Sequence, residues 1–390
     1  MIIIDKPYVS DFLIQTIKKN NFKVIATIEA KSLISDESLN WISEEEAKNT
    51  FEKSPDSLLY TNSENSISWI ENNLTTSKLP AQIQIFKNKI KFRELLKDLF
   101  PTYFFKGVRY QDLRNLNISD LKFPLILKPA VGFFSIAVIK VDSSSDWTQA
   151  IDKIETEIKK FSGLYPIEVM DMNDFIIEEY VEGEEYAIDC YFNKDGNPVV
   201  LNILHHVFSS ANDVSDRIYS TSTELINKYL SKIQEFLKSI GEKAALRNFP
   251  AHVEIRIDRE GNIFPVEVNS LRYGGLCTTG DISWYAYEIN SYEYFLNAKA
   301  PDWKQISKDR EDKKYSIIVL DNNSGIHENE IESFDYDLLL KDFKKPMSLR
   351  KLDFKKYLVF GILFVETTRG DEKELNHILA SNLRKYIKIR

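Results

Sequence analysis

Cysteine is nearly missing from this 390-residue chain: Cys190 and Cys277 stand far apart, with neither a metal-ligand spacing nor a disulfide framework. That suits a reducing compartment, and a cytoplasmic location is the expectation. No apolar run reaches spanning length, and the opening MIIIDKPYVS is too short an apolar stretch for a signal peptide, so no membrane partner is expected. No basic tract stands out either. The formal net charge is −8 and the pI about 5.4, which argues against a nucleic-acid backbone as partner. Lys344-Lys345, just before Pro346, reads as a solvated surface turn. No glycine-rich fingerprint follows Ile2–Ile4, which removes a nicotinamide or flavin site there. Neither a carrier-domain lysine motif nor a nucleotidyl-lysine motif is present, which weighs against a biotin carrier and a DNA ligase.

What is there is the composition of an ordinary globular protein, 43% hydrophobic and 28% charged, long enough for two or three domains. Through about residue 85 the pattern alternates between strand and helix: Ile2–Ile4, Val9–Lys19, Phe22–Thr27, Leu58–Tyr60, Glu64–Asn73. This predicts a small α/β domain with a mostly parallel sheet, which either walls one side of a cleft or serves as scaffold. FKNKIKFRELLKDL, residues 86–99, predicts an amphipathic helix whose Lys89, Lys91 and Arg93 give it a basic side, on pattern alone a solvated one. In FPLILKP, Lys128 closes an apolar strand before Pro129, where a long cation reaches a cleft mouth. Gly132 and Ser135 in the following loop would let backbone amides approach phosphate oxygens, although one glycine and one serine equally make an ordinary hairpin. Strands at 175–180 and 186–192 flank VEGEE and set Glu178 and Glu185 near their ends. On the next strand, 199–207, His205 and His206 are adjacent, point to opposite faces, and share no metal. Residues 209–223 are expected as a loop, 223–241 as a long helix, and 312–390 as a small α+β cap.

The segment AHVEIRIDREGNIFPVEVNSLRYGG, residues 251–275, says most about chemistry. It reads as two alternating strands joined by a polar turn at Arg259-Glu260-Gly261-Asn262. With that loop, Glu254 pairs across the hairpin with Glu267, and His252 with Asn269. The two-residue period then puts His252, Glu254, Arg256, Glu267 and Asn269 on one face. Two carboxylates directly opposite each other repel. A hard cation reverses that sign, Mg²⁺ held by carboxylates and substrate phosphates being the usual case. The plainer alternative is a solvated sheet face whose acidic side chains splay apart.

In order along the chain, the early lysine, PLILKPAVGFFS, IIEEYVEGEEY, HVEIRID and FPVEVNSLRYGG resemble the ATP-grasp superfamily, and its carboxylate–amine ligases of the L-amino-acid ligase kind. The seven-residue step from Glu178 to Glu185 and the thirteen-residue step from Glu254 to Glu267 add to the likeness. The resemblance covers about 86–297 and implies a multidomain α/β and α+β chain. It implies an amino-terminal domain at 1–85, an ATP-grasp region of two subdomains at 86–311, and a cap at 312–390.

It also implies roles. Lys89 corresponds to the basic residue of the first half of the grasp, with Lys87 close enough to leave the register open. Lys128 contacts phosphate and the adenine edge, while Gly132 and Ser135 lie in the phosphate loop. Glu178 stands at the adenine hinge, Glu179 and Val181 supply backbone contacts, and Glu185 takes the ribose. Glu254, Glu267 and Asn269 hold Mg²⁺, with Mn²⁺ an alternative, and Arg272 faces an anionic substrate or intermediate. The cofactors implied are ATP and the metal. The partners are a small-molecule carboxylate and an amine, with a homodimer as one use of the cap. Phe133 and Phe134 depart from the small residues usual in the phosphate loop. The reaction implied is amide formation through an acylphosphate, releasing ADP and phosphate. The alternatives are a ligase or carboxylase for a non-amino-acid substrate, and a catalytically weak nucleotide-binding regulatory protein.

Overall fold

The structure is a computed structural model that describes residues 1–132, 136–161, 171–209, 216–357 and 359–390, with side chains of 160 and 161 left aside. Ser135, Phe133 and Phe134 therefore lie outside the described residues, as do 210–215 of the expected loop.

The chain opens with β1 (Ile2–Ile3), α1 (Asp11–Asn20), β2 (Val24–Ile25), α2 (Ile28–Leu33), β3 (Trp41–Ile42), α3 (Glu44–Lys53), β4 (Tyr60–Thr61) and α4 (Ile67–Asn73). Its four strands are parallel in the order β3-β2-β1-β4. Helices cover this sheet, so Ile2, Ile3 and Ile4 are all buried in an unbroken apolar run rather than an alternating one. Capping serines and a threonine start three of these helices: Ser10, Thr27 and Ser43 each accept an amide hydrogen bond from the first turn.

The single helix expected over 86–99 is two, α5 (Leu79–Lys87) and α6 (Lys89–Leu96). Asn88 breaks them: its backbone is extended, and its side chain accepts from the amides of Ile90 and Lys91. A side-chain amide that caps a new helix competes with continuation of the old one. The break turns Lys87 and Lys89 to different partners.

A four-stranded sheet follows, built from β5 (Phe105–Arg109), β6 (Leu125–Val131), β7 (Ile139–Val141) and β8 (Asp171–Glu179), antiparallel in the order β5-β8-β6-β7. Helix α7 (Trp147–Phe161) covers one face, with Leu125, Leu127, Phe175 and Ile177 meeting Trp147, Ile151 and Ile154 in a separate core.

The remaining strands are β9 (Gly183–Phe192), β10 (Pro198–Val207), β11 (Ile218–Thr221), β12 (Phe249–Asp258), β13 (Ile263–Ser270), β14 (Lys313–Asp321), β15 (Ile331–Phe334), β16 (Pro346–Lys351), β17 (Val359–Thr368) and β18 (Ile387–Ile389). Eight of them form one sheet in the order β13-β12-β9-β10-β11-β14-β17-β16, and β15 pairs with β18 apart from it. Helix α8 (Thr223–Lys243) packs on this sheet. Two expectations change. Residues 218–221 are a strand, because Ile218, Ser220 and Thr221 are buried between β10 and β14. The stretch from 312 onward keeps a core of its own around Ile318, Leu320, Phe334, Phe360 and Leu363, yet β14, β16 and β17 extend the large sheet and only β15 and β18 pair apart from it. Among the described residues no helix is long and apolar enough to cross a membrane.

Candidate active site

The hairpin keeps the register read from the sequence: Glu254 faces Glu267 and His252 faces Asn269. The turn is Arg259–Asn262, with Gly261 at φ +83° and the Asp258 carboxylate accepting from the amides of Glu260 and Asn262. Because β9 and β10 lie beside β12, the pairs extend into rows across the sheet. One row runs Asn202, Asp189, His252, Asn269; the next Leu204, Ala187, Glu254, Glu267; the third His206, Glu185, Arg256. These rows share one face: Asn202, Asp189 and Leu204 are fully buried on it, while Glu254 and Glu267 form a partly exposed floor facing the small sheet.

The rows are wired within and between themselves. Asp189 Oδ1 lies 2.7 Å from His252 Nδ1, and His252 Nε2 lies 3.6 Å from Glu254 Oε1. Burial disfavours a charged His252, but Asp189 and Glu254 outweigh it and raise its pKa to about 9. The imidazolium then donates to Asp189 and forms an ion pair with Glu254. Glu185 lies 3.1 Å from both His206 Nδ1 and Arg256 Nε, and its pKa is lowered: burial opposes this, while His206 and Arg256 prevail. Expected to hold a ribose, Glu185 thus has both oxygens engaged by the protein, and a sugar hydroxyl would compete with them. His205 turns to the other face and meets Glu184 at 2.7 Å, so the adjacent histidines point apart as expected.

The facing wall comes from α6 and the small sheet. Lys89 Nζ lies 3.0 Å from Glu267 Oε2 and donates to the Gly132 carbonyl at 3.3 Å. Lys87 instead pairs with Glu64, so of the two lysines it is Lys89 that lies beside Glu267. Lys128 pairs with Glu178, and Arg93 Nε reaches the other Glu178 oxygen at 2.9 Å. Glu178 is 4% exposed and spends its carboxylate on these two cations, so its side chain backs the hinge rather than facing a ligand. Burial works against both ions of the Lys128 pair. It lowers Lys128 even with Glu178 alongside, yet Arg93 and Lys128 together hold Glu178 down at about 2. With two cations on one carboxylate, the charged form of Glu178 is the secure assignment. At the hinge segment, where Glu179 and Val181 are expected to supply backbone contacts, the Glu179 amide donates to the Phe104 carbonyl at 3.1 Å. The Val181 carbonyl accepts from Arg256 at 3.0 Å.

Arg272, expected to face an anionic substrate, is held by two protein acceptors. Its Nη2 donates to Glu64 Oε1 at 2.8 Å and its Nη1 to the Tyr273 carbonyl at 2.8 Å. Preceding it, Leu271 holds φ +60°, and the Leu271 carbonyl accepts from the Thr61 amide at 2.8 Å, which ties this turn to β4. Glu64 and Asp189 escaped the sequence reading. Asp189 was accessible, since it sits on the same two-residue period as Glu185; Glu64 carries no sequence signal, as its partner lies 208 residues away.

The carboxylates at the floor fit a hard cation. Burial and then the charge of Glu267 push Glu254 up, while Lys89 holds Glu267 down against burial, so the repulsion across the hairpin is real and cations already offset it. Among the described residues no three His, Cys, Asp or Glu side chains gather at one point. A divalent ion would need the Asn269 carbonyl oxygen as third donor, and Asn269 lies beside Glu267, its amide nitrogen 3.2 Å from Oε1. Two carboxylates and an amide oxygen are the donors Mg²⁺ takes.

Residues 121–280, which carry Lys128, the hinge, the hairpin and Arg272, match the ATP-grasp domain family. No curated protein matches the sequence. Among solved structures, the L-amino acid ligase from Bacillus licheniformis superposes with a TM-score of 0.70 at 17% identity, covering 100% of this chain and 98% of that one. N5-carboxyaminoimidazole ribonucleotide synthetase from Thermotoga maritima gives 0.64 at 15%, covering 100% and 98%. The biotin carboxylase domain dimer of Hydrogenobacter thermophilus 2-oxoglutarate carboxylase, in complex with MgADP, gives 0.61 at 11%, covering 100% and 90%. Residues 121–280 thus match an ATP-grasp domain, and the chain as a whole shares the fold of these solved structures.

Proposed function

We propose that this chain is an ATP-dependent carbon–nitrogen ligase that joins a carboxylate to an amine, at least one of them an amino acid. The observation that carries the proposal is the oxygen cluster of Glu254, Glu267 and Asn269 with Lys89 on its Glu267 edge. The likeness to an L-amino acid ligase along both chains supports an amino acid as substrate. Three regions, 1–85, 86–311 and 312–390, surround the cleft in this reading, and a homodimer is part of it.

The carboxylate oxygen attacks the γ-phosphorus of ATP, giving an acylphosphate and ADP; the amine then attacks the acyl carbon and phosphate leaves. Glu254, Glu267 and Asn269 would hold Mg²⁺, or Mn²⁺ with the same oxygens, and the bound ion neutralises phosphate charge. Lys89 presents its ammonium beside Gly132, where the phosphate loop begins, and with Lys128, which pairs with Glu178, stabilises the developing anion. Tyr180 and Val181 offer hinge backbone to the base. Arg272, fixed by Glu64, uses each terminal nitrogen for one protein contact and keeps a second N–H on each for the acylphosphate. Closure of the two sheets excludes water from the acylphosphate.

The test is metal-dependent ADP and phosphate release with single amino acids and pairs, product masses recorded, and Glu267→Ala as control. Pair-dependent release with a condensed product, cut by about 10²–10³-fold in the variant, supports the proposal. Release that requires bicarbonate in place of an amine would move the chain to carboxylation. ATP binding without release from any carboxylate would leave a nucleotide-binding regulatory protein.

A further inference from the structure

Helix α6 stands between the two sheets, and two of its side chains each take one partner from either side. Lys89 and Arg93 are four residues apart and so share a face. Lys89 joins the Gly132 carbonyl, just past β6 of the small sheet, to Glu267 on β13 of the large one. Arg93 joins Glu178 on β8 to the Val266 carbonyl on β13, at 2.9 and 3.1 Å. Val266 is the extra residue of a bulge: pairing passes from Glu254–Glu267 to Ile255–Pro265 and leaves Val266 without a partner residue on β12. A bulge frees a carbonyl from the ladder, and this one belongs to the residue directly before Glu267.

We propose that Arg93 is a positioning residue, a strut that couples the base side of the cleft to the strand carrying Glu267 and Asn269. The proposal rests on the nucleotide-binding reading for its consequence, although the strut itself does not. Arg93 is 2% exposed, with its guanidinium 5.4 Å from the Tyr103 ring, so it has little freedom to yield. Its planar fork can serve a carboxylate and a carbonyl at once. A lysine at 93 would neutralise Glu178 equally well, yet a single ammonium on a flexible stem does not fix both partners in one geometry. A base docked at Tyr180–Val181 biases β8, and Arg93 hands that bias to Val266 and Glu267. The link is a contiguous set of contacts rather than mere proximity.

Arg93→Lys tests it in three readouts. Without ligand, hydrogen exchange in β8 and at Val266–Asn269 should rise about tenfold, while α8 and the melting temperature stay near wild type. With ligand, the factor by which Mg²⁺ strengthens ADP binding should fall about tenfold. In the wild type alone, adenosine, which has no phosphates to touch the metal side, should slow exchange at Val266–Asn269. The last measurement holds even if the variant fails to fold. Wild-type exchange and undiminished Mg²⁺ coupling in Arg93→Lys would overturn the strut, as would adenosine protecting β8 but not β13. Faster exchange in the variant, with a wild type that binds neither adenosine nor ADP, would keep the strut and sink the nucleotide reading.

Discussion

Glu178 shows how single side chains set the behaviour of the cleft. Two buried cations hold its pKa at about 2 against an ordinary 4.5. A carboxylate depressed in the folded state stabilises fully above its unfolded pKa and loses that contribution as pH falls through the folded value. The window is therefore from about 4.5 down to 2, and the contribution at neutral pH is at most about 3 kcal/mol. Glu178→Gln should be less stable than wild type at pH 7, with the gap closing as acid protonates the native carboxylate. Denaturant unfolding across that range checks it, and a gap that stays constant below pH 4 would refute the assignment. Glu64 makes a parallel case, since Lys87 and Arg272 both lean on one buried carboxylate. A double-mutant cycle on Glu64→Gln and Arg272→Lys should return a coupling of about 2 kcal/mol in unfolding free energy. A value near zero would mean that Arg272 finds its place without Glu64.

At the level of elements, the hairpin and α6 place the chemistry, and they differ in how far they can be read from the chain. The Glu254–Glu267 pairing was read from a four-residue polar loop and a two-residue period, but next to the turn Ile257 pairs with Ile263, one residue off that register, and the bulge at Val266 restores it. That bulge was not legible, since nothing in IFPVEVNS marks which residue leaves the ladder. The break at Asn88 was legible only in part. Asparagine is a capping residue, but an apolar face that continues on both sides argues for one helix. Glycine shows where elements come closest. A Cβ on Gly107 would approach the tip of the Ile90 side chain at 2.9 Å, a flexible neighbour that can swing aside. On Gly183 it would come within 2.3 Å of the Ile257 backbone carbonyl, where β9 begins beside the end of β12. Gly107→Ala should therefore cost under about 1 kcal/mol, and Gly183→Ala about 3 kcal/mol with weakened metal binding, because β12 must shift. Thermal unfolding of the two variants decides; equal losses would show that β12 has slack.

For the whole molecule, the composition and alternating elements gave the class of fold, while contacts far apart in sequence escaped for want of any local trace. Ile218–Thr221 is the instructive case. Four residues after a polar stretch carry too little periodicity to read as a strand, and only the neighbours on both sides make them one. The same strand decides how independent the carboxy-terminal region is. Through β11 the large sheet passes from β10 to β14, with Ile218 opposite Ile318 and Ser220 opposite Ser316. Ile218 also belongs to the core of residues that lie mostly beyond 312. Just before it, buried Arg217 donates to Asp321 at 2.8 Å and to the Ile378 carbonyl at 3.2 Å. Ending the chain at 311 would thus expose a strand edge, strip an apolar face and leave a buried guanidinium without its carboxylate, each of which is costly. A 1–311 fragment should be insoluble or associate, and should lose the sharp thermal transition of the full chain in circular dichroism and size-exclusion chromatography. A monomeric fragment with a cooperative melt would show the opposite: that the sheet can end at β11, and that 312–390 is an appended domain whose strands only happen to continue it.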